Sequence, residues 1–359
     1  MRAQFRYVPV LATLALAVAC GGGGDPPRRH STGDSTSIAS TVLVALGADG
    51  GRTGAELFAA VAGYRSGDLI FVANREDPEI LVYDIRGALR SRIGRGGEGP
   101  GEFRSIVALL PLGGDSVVAL DPILWRVSVF GPRGDFVRSF QIEPSEYGQP
   151  VAMGLVNGML GVASTSRGDP RSLIVGGLTR DSLSVELVPL AEDGIVRVAR
   201  RSVKIPGSYW RREAAVASVR VRRLLDGPHA MVAFGDSLVV ANTSDSPAIL
   251  AWNAAAWDTL FVDERFGSND TNSDGVRSPI YWSMAIRAGE IWLADADTVK
   301  TGHRVWRGRR LDGAASGSLM LPVDFVIWQL GPDWVLGRRV NADGEVVVEL
   351  RTLEVPLSR

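Results

Sequence analysis

Residues 195–225 gather nine cationic side chains against a single acid, Glu213, in a 359-residue chain whose net charge is only −1. Arg200, Arg201, Lys204, Arg211 and Arg212 surround the pair Tyr209-Trp210, which follows Gly207 closely. A guanidinium presents a planar fork of donors that matches the two oxygens of a carboxylate or phosphate. Arginines interleaved with aromatics therefore suit an anionic ligand such as an acidic glycan, a phosphate headgroup or a carboxylate. Two strands or a short helix with a basic polar face, alkyl stems lying over apolar surface, would produce the same letters.

A second group is Asp270-Thr271-Asn272-Ser273-Asp274-Gly275. Oxygen ligands from Asp270, Asn272 and Asp274, with Gly at the sixth position, fit a tight calcium loop. An EF-hand would close with Glu at the twelfth position, where Tyr281 stands, and Ser278 holds the ninth. A solvated turn rich in Asx residues accounts for the segment equally well. A zinc site needs two or three convergent ligands, and histidines are scarce: His30 lies in the tether, and His229 and His303 read as loop residues. No Gly-x-Ser-x-Gly elbow and no Walker loop occurs. Gly96-Gly97-Glu98-Gly99-Pro100-Gly101 has the glycines of a phosphate loop, but Pro100 removes a donor and no helix follows. Asp121 and Asp295, each ending an apolar run, either face a central channel or cap a turn.

Before any of these can act, the first residues have to be read. Arg2 and Arg6 precede an apolar run, Val8–Val18, too short to cross a bilayer, and Ala17-Val18-Ala19 leads into Cys20, the only cysteine. This resembles the bacterial lipobox, with Leu16 four residues before the cysteine rather than three. The resemblance implies a signal peptide over 1–19 and acylation of Cys20, whose several chains (palmitate among them) would hold the protein at a membrane. Gly21, rather than Asp, implies sorting toward an outer membrane, facing the periplasm or the surface. Residues 20–40 are rich in Gly, Pro and Ser and read as a flexible tether. The near-zero charge favours neither nucleic acid nor an anionic membrane surface, and a monomer is expected.

The remainder, 41–359, repeats itself. Residues 67–94 and 114–141 align without a gap at an offset of 47: Gly67 with Gly114, Val82-Tyr83 with Val129-Phe130, Gly87 with Gly134. Each unit reads as short apolar strands joined by polar or Gly turns, an antiparallel meander too small to bury both faces alone. Radial stacking into a β-propeller removes that difficulty. The first-strand signature recurs at Gly158, Gly235, Gly289 and Gly331, which favours six blades. A 77-residue interval from Gly158 to Gly235 contains either an insertion, with the basic 195–225 segment inside it, or a seventh blade. Thr41–Leu46 reads as the outer strand of the last blade, lent from the other end of the chain. Trp125, Trp292, Trp306, Trp328 and Trp334 fall in or beside strands, as blade-packing residues.

Gly96–Phe103, followed by Arg126-Val127-Ser128-Val129-Phe130-Gly131-Pro132-Arg133-Gly134, resembles NHL-repeat six-bladed propellers, with their GxGPGxF linker and RVxVF strand. The resemblance implies the all-β fold; NHL-like propellers include binding scaffolds, lyases and lactonase-like hydrolases, so it does not fix an activity. The expectation is a membrane-tethered, extracytoplasmic binding module for a small ligand, glycan or protein partner. The alternative is a propeller hydrolase or lyase with a carboxylate-bound divalent cation in its channel.

Overall fold

Runs of β-branched and aromatic residues punctuated by Gly and Asx turns give strands and no helix among the described residues. The computed structural model describes residues 37–47, 57, 59–113, 116–142, 150–156, 158–166, 178–190, 194–196, 202–215, 218–225, 229–234, 237–242, 248–252, 257–262, 281–300 and 302–354. All lie in one compact unit, Ser35–Arg359.

After β1 (Ser37–Leu46), four strands form a first meander: β2 (Ala60–Ser66), β3 (Leu69–Asn74), β4 (Glu79–Asp84) and β5 (Leu89–Ile93). The second is β6 (Ala108–Gly113), β7 (Ser116–Asp121), β8 (Arg126–Phe130) and β9 (Phe136–Ile142). The third begins with β10 (Pro150–Val156), β11 (Met159–Ser166) and β12 (Leu178–Pro189). Then come β13 (Gly194–Val196), β14 (Ser202–Ala215) and β15 (Ser218–Leu225). A fourth meander holds β16 (His229–Phe234), β17 (Ser237–Asn242), β18 (Ala248–Trp252) and β19 (Trp257–Val262). The fifth holds β20 (Tyr281–Arg287), β21 (Glu290–Lys300), β22 (His303–Arg309) and β23 (Ala315–Pro322). Last are β24 (Val326–Leu330), β25 (Trp334–Val340) and β26 (Val346–Glu354).

The first strands of these meanders touch in sequence: β2 meets β6, β6 meets β10, β10 meets β16, β16 meets β20, β20 meets β24, and β24 returns to β2. A ring of sheets stacked face to face around their inner strands is a β-propeller. Burial explains why the ring must close. β4 and β8 are buried at every residue, so both faces need a neighbour. One cluster joins the first two meanders through Phe71, Ile80, Phe103 and Phe130; another joins the last meander to the first through Leu336, Leu350, Ile70 and Leu81. Trp292 and Trp306 are buried in the cluster between the fifth and last meanders, and Trp328 and Trp334 pack half-buried against Tyr83's cluster.

The last meander has only three strands of its own. β1 completes it, pairing antiparallel with β26 from Ala39↔Glu354 to Leu46↔Val348. The strand starts four residues before the 41–46 stretch read from the sequence; the first two of these pair parallel with β23 (Ser37↔Ser318, Ile38↔Leu319), and Ala39 and Ser40 extend the ladder with β26. β1 thereby joins the fifth and last meanders into one eight-stranded sheet. Buried Glu349 of β26 sits between Arg339 and Arg351, both at 2.6 Å, and Arg351 reaches on to the Ser40 hydroxyl at 3.2 Å. Its hydrogen bond to Glu349 raises the pKa of Arg339 further.

One turn recurs four times among the described residues. In each, a Gly with φ between 82° and 87° ends a tight loop: Gly87, Gly134, Gly313 and Gly344. The backbone bonds repeat too: Asp84 N to Ala88 O, Gly131 N to Asp135 O, Arg310 N to Ala314 O, Asn341 N to Glu345 O. The left-handed conformation costs a side chain about 1–2 kcal/mol, which is why Gly marks the position.

Candidate functional site

Chain direction sorts the connections between two ends of the propeller. Every first strand begins where the preceding outer strand finishes, at the loop end of the propeller. The opposite turn end carries short links such as Gly67-Asp68 and Ala288-Gly289. β1, antiparallel to β26, starts at the turn end and finishes at the loop end.

The best-described loop at the loop end is the glycine-rich linker 94–107. It is occupied with itself. The Glu102 carboxylate accepts the Gly99 amide at 2.8 Å and pairs with Arg95, which together hold its pKa below the ordinary value. Arg104 pairs with Glu98 at 2.5 Å, and Arg126 donates to the carbonyls of Glu98 (2.7 Å) and Glu102. Phe103 is buried against Phe130, ring centroids 5.7 Å apart. The loop's glycines therefore make room for its own carboxylate: a Cβ on Gly97 would come within 2.2 Å of Glu102. It is a brace between meanders rather than a phosphate cradle.

Asp121 is equally committed. Fully buried, it accepts four backbone amides: Arg104 (2.7 Å) and Ser105 (3.2 Å) from the linker, Ile123 (2.9 Å) and Leu124 (3.0 Å) from its own turn. Asn74, 47 residues earlier, holds the Ala59 amide at 3.2 Å in the same way. Asp295 pairs with Arg307 at 2.7 Å, and its carbonyl accepts Arg304. Asp121 thus ties the linker to its own turn, and Asp295 ties β21 to β22.

The basic segment lies at the loop end as an arm. β11 pairs with β12 up to Ser166↔Ser182, β12 with β14 up to Leu178↔Arg211, and β14 with β15 up to Ala215↔Ser218. Each ladder reaches further than the one inside it. Residues 212–215 pass beyond β12 altogether, by roughly 13 Å at ~3.3 Å per residue. The long interval in the sequence repeat is thus taken up by this hairpin and by β13, which pairs parallel with β9 of the second meander. Of the residues proposed from sequence, Lys204 sits low in the ladder opposite Ser184, while Tyr209, Trp210, Arg211 and Arg212 occupy its rising part. Arg200 and Arg201 lie outside the described residues, as do Cys20, His30, Asp270, Asn272 and Asp274. His229 opens β16 opposite Asn242, and His303 is half-buried on β22. No group of three His, Cys, Asp or Glu residues that could hold a metal ion occurs among the described residues.

No family model and no curated protein sequence matches the chain. Its fold is similar to that of a DUF4221-family member from Bacteroides vulgatus, at 10% identity and a TM-score of 0.50 over 89% of this chain and 97% of that one. It is also similar to the WD40 repeats of RRP9 (12% identity, TM-score 0.45, 88% and 97% covered). Streptogramin B lyase gives 10% identity and a TM-score of 0.40, with 88% and 97% covered. These are likenesses of fold.

Proposed function

We propose that this protein is an exported lipoprotein, acylated at Cys20, that presents a six-bladed NHL-like propeller as a monomeric binding module in the bacterial envelope. The observation that carries the reading is the arm. Within the blades, the carboxylates of Asp121, Glu102 and Glu349 are spent on arginines or on backbone amides. The β14–β15 hairpin, by contrast, extends past the ladder that a blade requires and carries a strong net positive charge, six cationic residues against Glu213. Six inner strands in a closed ring support the blade count, with β1 supplying the outer strand of the sixth.

The anchor is the Cys20 lipobox, followed by a short tether into β1, and sorting follows Gly21 to the outer membrane. Cells fed a labelled fatty acid should label the wild-type protein and not Cys20→Ala, which should be released from membranes. For the propeller, the full chain in detergent is screened by thermal shift against glycans, carboxylates and envelope proteins, with and without calcium. Saturable binding without turnover supports the module. Cation-dependent hydrolysis of lactones, abolished by a chelator, would establish the enzyme reading in its place.

A further inference from the structure

The arm's ladders sort its charges by face. Residues paired across a ladder share a face, and alternate positions along a strand share one too. One bulge in β14 between Pro206 and Tyr209, and another at Leu224 in β15, set the register. Arg180 of β12 then pairs with Tyr209, Arg211 with both Leu178 and Arg222, and Glu213 with Arg220. Four arginine positions (180, 211, 220 and 222) and one tyrosine thus fall on the same face in three successive rows, with one acid among them. Trp210, Arg212 and Arg223 fall on the other. The register sets Arg211 directly opposite Arg222, a like-charge pair that an anion seated on that face would relieve. Rows of one face are about 7 Å apart and strands about 4.8 Å apart, so the positions make a grid. A grid of forked donors beside an aromatic ring suits a chain of sugar rings bearing carboxylates, the acids meeting the arginines and a ring face meeting the tyrosine.

We infer that this face of the arm binds an acidic polysaccharide of the uronate type. The proposal rests on the binding-module reading and deepens it. It also favours a polymer over the headgroups of the anchoring membrane, because β1 starts at the turn end and the arm stands at the other.

The test uses the full chain in a neutral detergent, with polygalacturonate, neutral dextran and phosphatidylglycerol vesicles as probes. Arg211→Gln/Arg222→Gln and Arg212→Gln/Arg223→Gln remove the same charge from opposite faces. The wild type should bind polygalacturonate and not dextran, more weakly as salt rises. The first pair should lose about tenfold or more in affinity, the second less than about twofold. Arg211→Lys/Arg222→Lys keeps the charge without the fork and should fall between, and matched thermal melts show that each variant is folded. Equal loss from both faces overturns the inference, as does binding to vesicles or dextran in place of polygalacturonate. If another ligand binds and neither pair affects it, the inference fails while the module reading stands. Cation-dependent turnover would instead remove the module reading itself.

Discussion

Replacing Asp121 by Ala tests whether the carboxylates of the blades are structural. The change strips acceptors from four amides at once. Two of them, on Ile123 and Leu124, belong to a turn whose Ile123 is 54% exposed, so water can replace the carboxylate there at small cost. The other two belong to the linker, and the Ser105 amide is buried. Each buried amide left without a partner costs about 1–3 kcal/mol, and the whole substitution about 4 kcal/mol once the weaker turn bonds are added. Asp121→Asn keeps one oxygen but turns an NH₂ toward donors, either at the linker or at the turn. Its expected cost is about 2 kcal/mol. The assay is urea unfolding followed by tryptophan fluorescence, with the midpoint shifting at constant slope. A loss below about 1 kcal/mol for Asp121→Ala, or a larger loss for Asn than for Ala, would refute this account of the linker.

Four further substitutions probe other parts of the molecule. Glu349→Ala leaves Arg339 and Arg351 facing each other without their shared acid; a loss of about 3–5 kcal/mol is expected, with faster amide exchange in β1 than in β3. Burial holds the Glu186 pKa above its ordinary value, so the folded state favours the protonated acid. Stability from that preference is complete below the unfolded pKa and is lost as pH rises through the folded one. Glu186→Gln should therefore melt higher than wild type at pH 8, the gap closing by about pH 4, near the ordinary carboxylate pKa; a gap that widens toward acid would contradict it. Gly134→Ala and Gly67→Ala both force an L-residue to positive φ, yet an added Cβ meets Ile93 at 2.6 Å in the first and nothing in the second. Gly67→Ala should cost about 1–2 kcal/mol and Gly134→Ala distinctly more, read from paired denaturation curves.

Much of the fold was legible because the repeat is written in residues with a conformational task. Gly87 and Gly134 mark the same turn, and Asn74 and Asp121 end equivalent strands with equivalent amide bonds. Thr41–Leu46 could be read as a closing strand since it is apolar and has no meander of its own. Its extension to Ser37 could not, because Ser37 and Ser40 carry no strand signal and are fixed by β23 and Arg351. At the arm, composition revealed charge but not arrangement. Arg180 lies far outside 195–225 and joins it only through a register that the bulge in β14 decides. Alternation counted straight along 204–212 would put Lys204 on a face with Trp210 and Arg212. The bulge transfers it to the side of Tyr209 and Arg211.

β1 also sets the order in which the protein can be made. Thr41 and its partner Thr352 are 311 positions apart, so the first strand to emerge waits for nearly the last. Bringing such distant segments together costs about 5 kcal/mol in chain entropy, which is recovered only when the ladder with β26 forms in full. Until then the growing chain is an open arc with an uncovered edge at each end, and its folding is slow by topology. A chain translocated N-terminus first would thus stay incomplete, and pliant enough to thread, until its final strand had crossed.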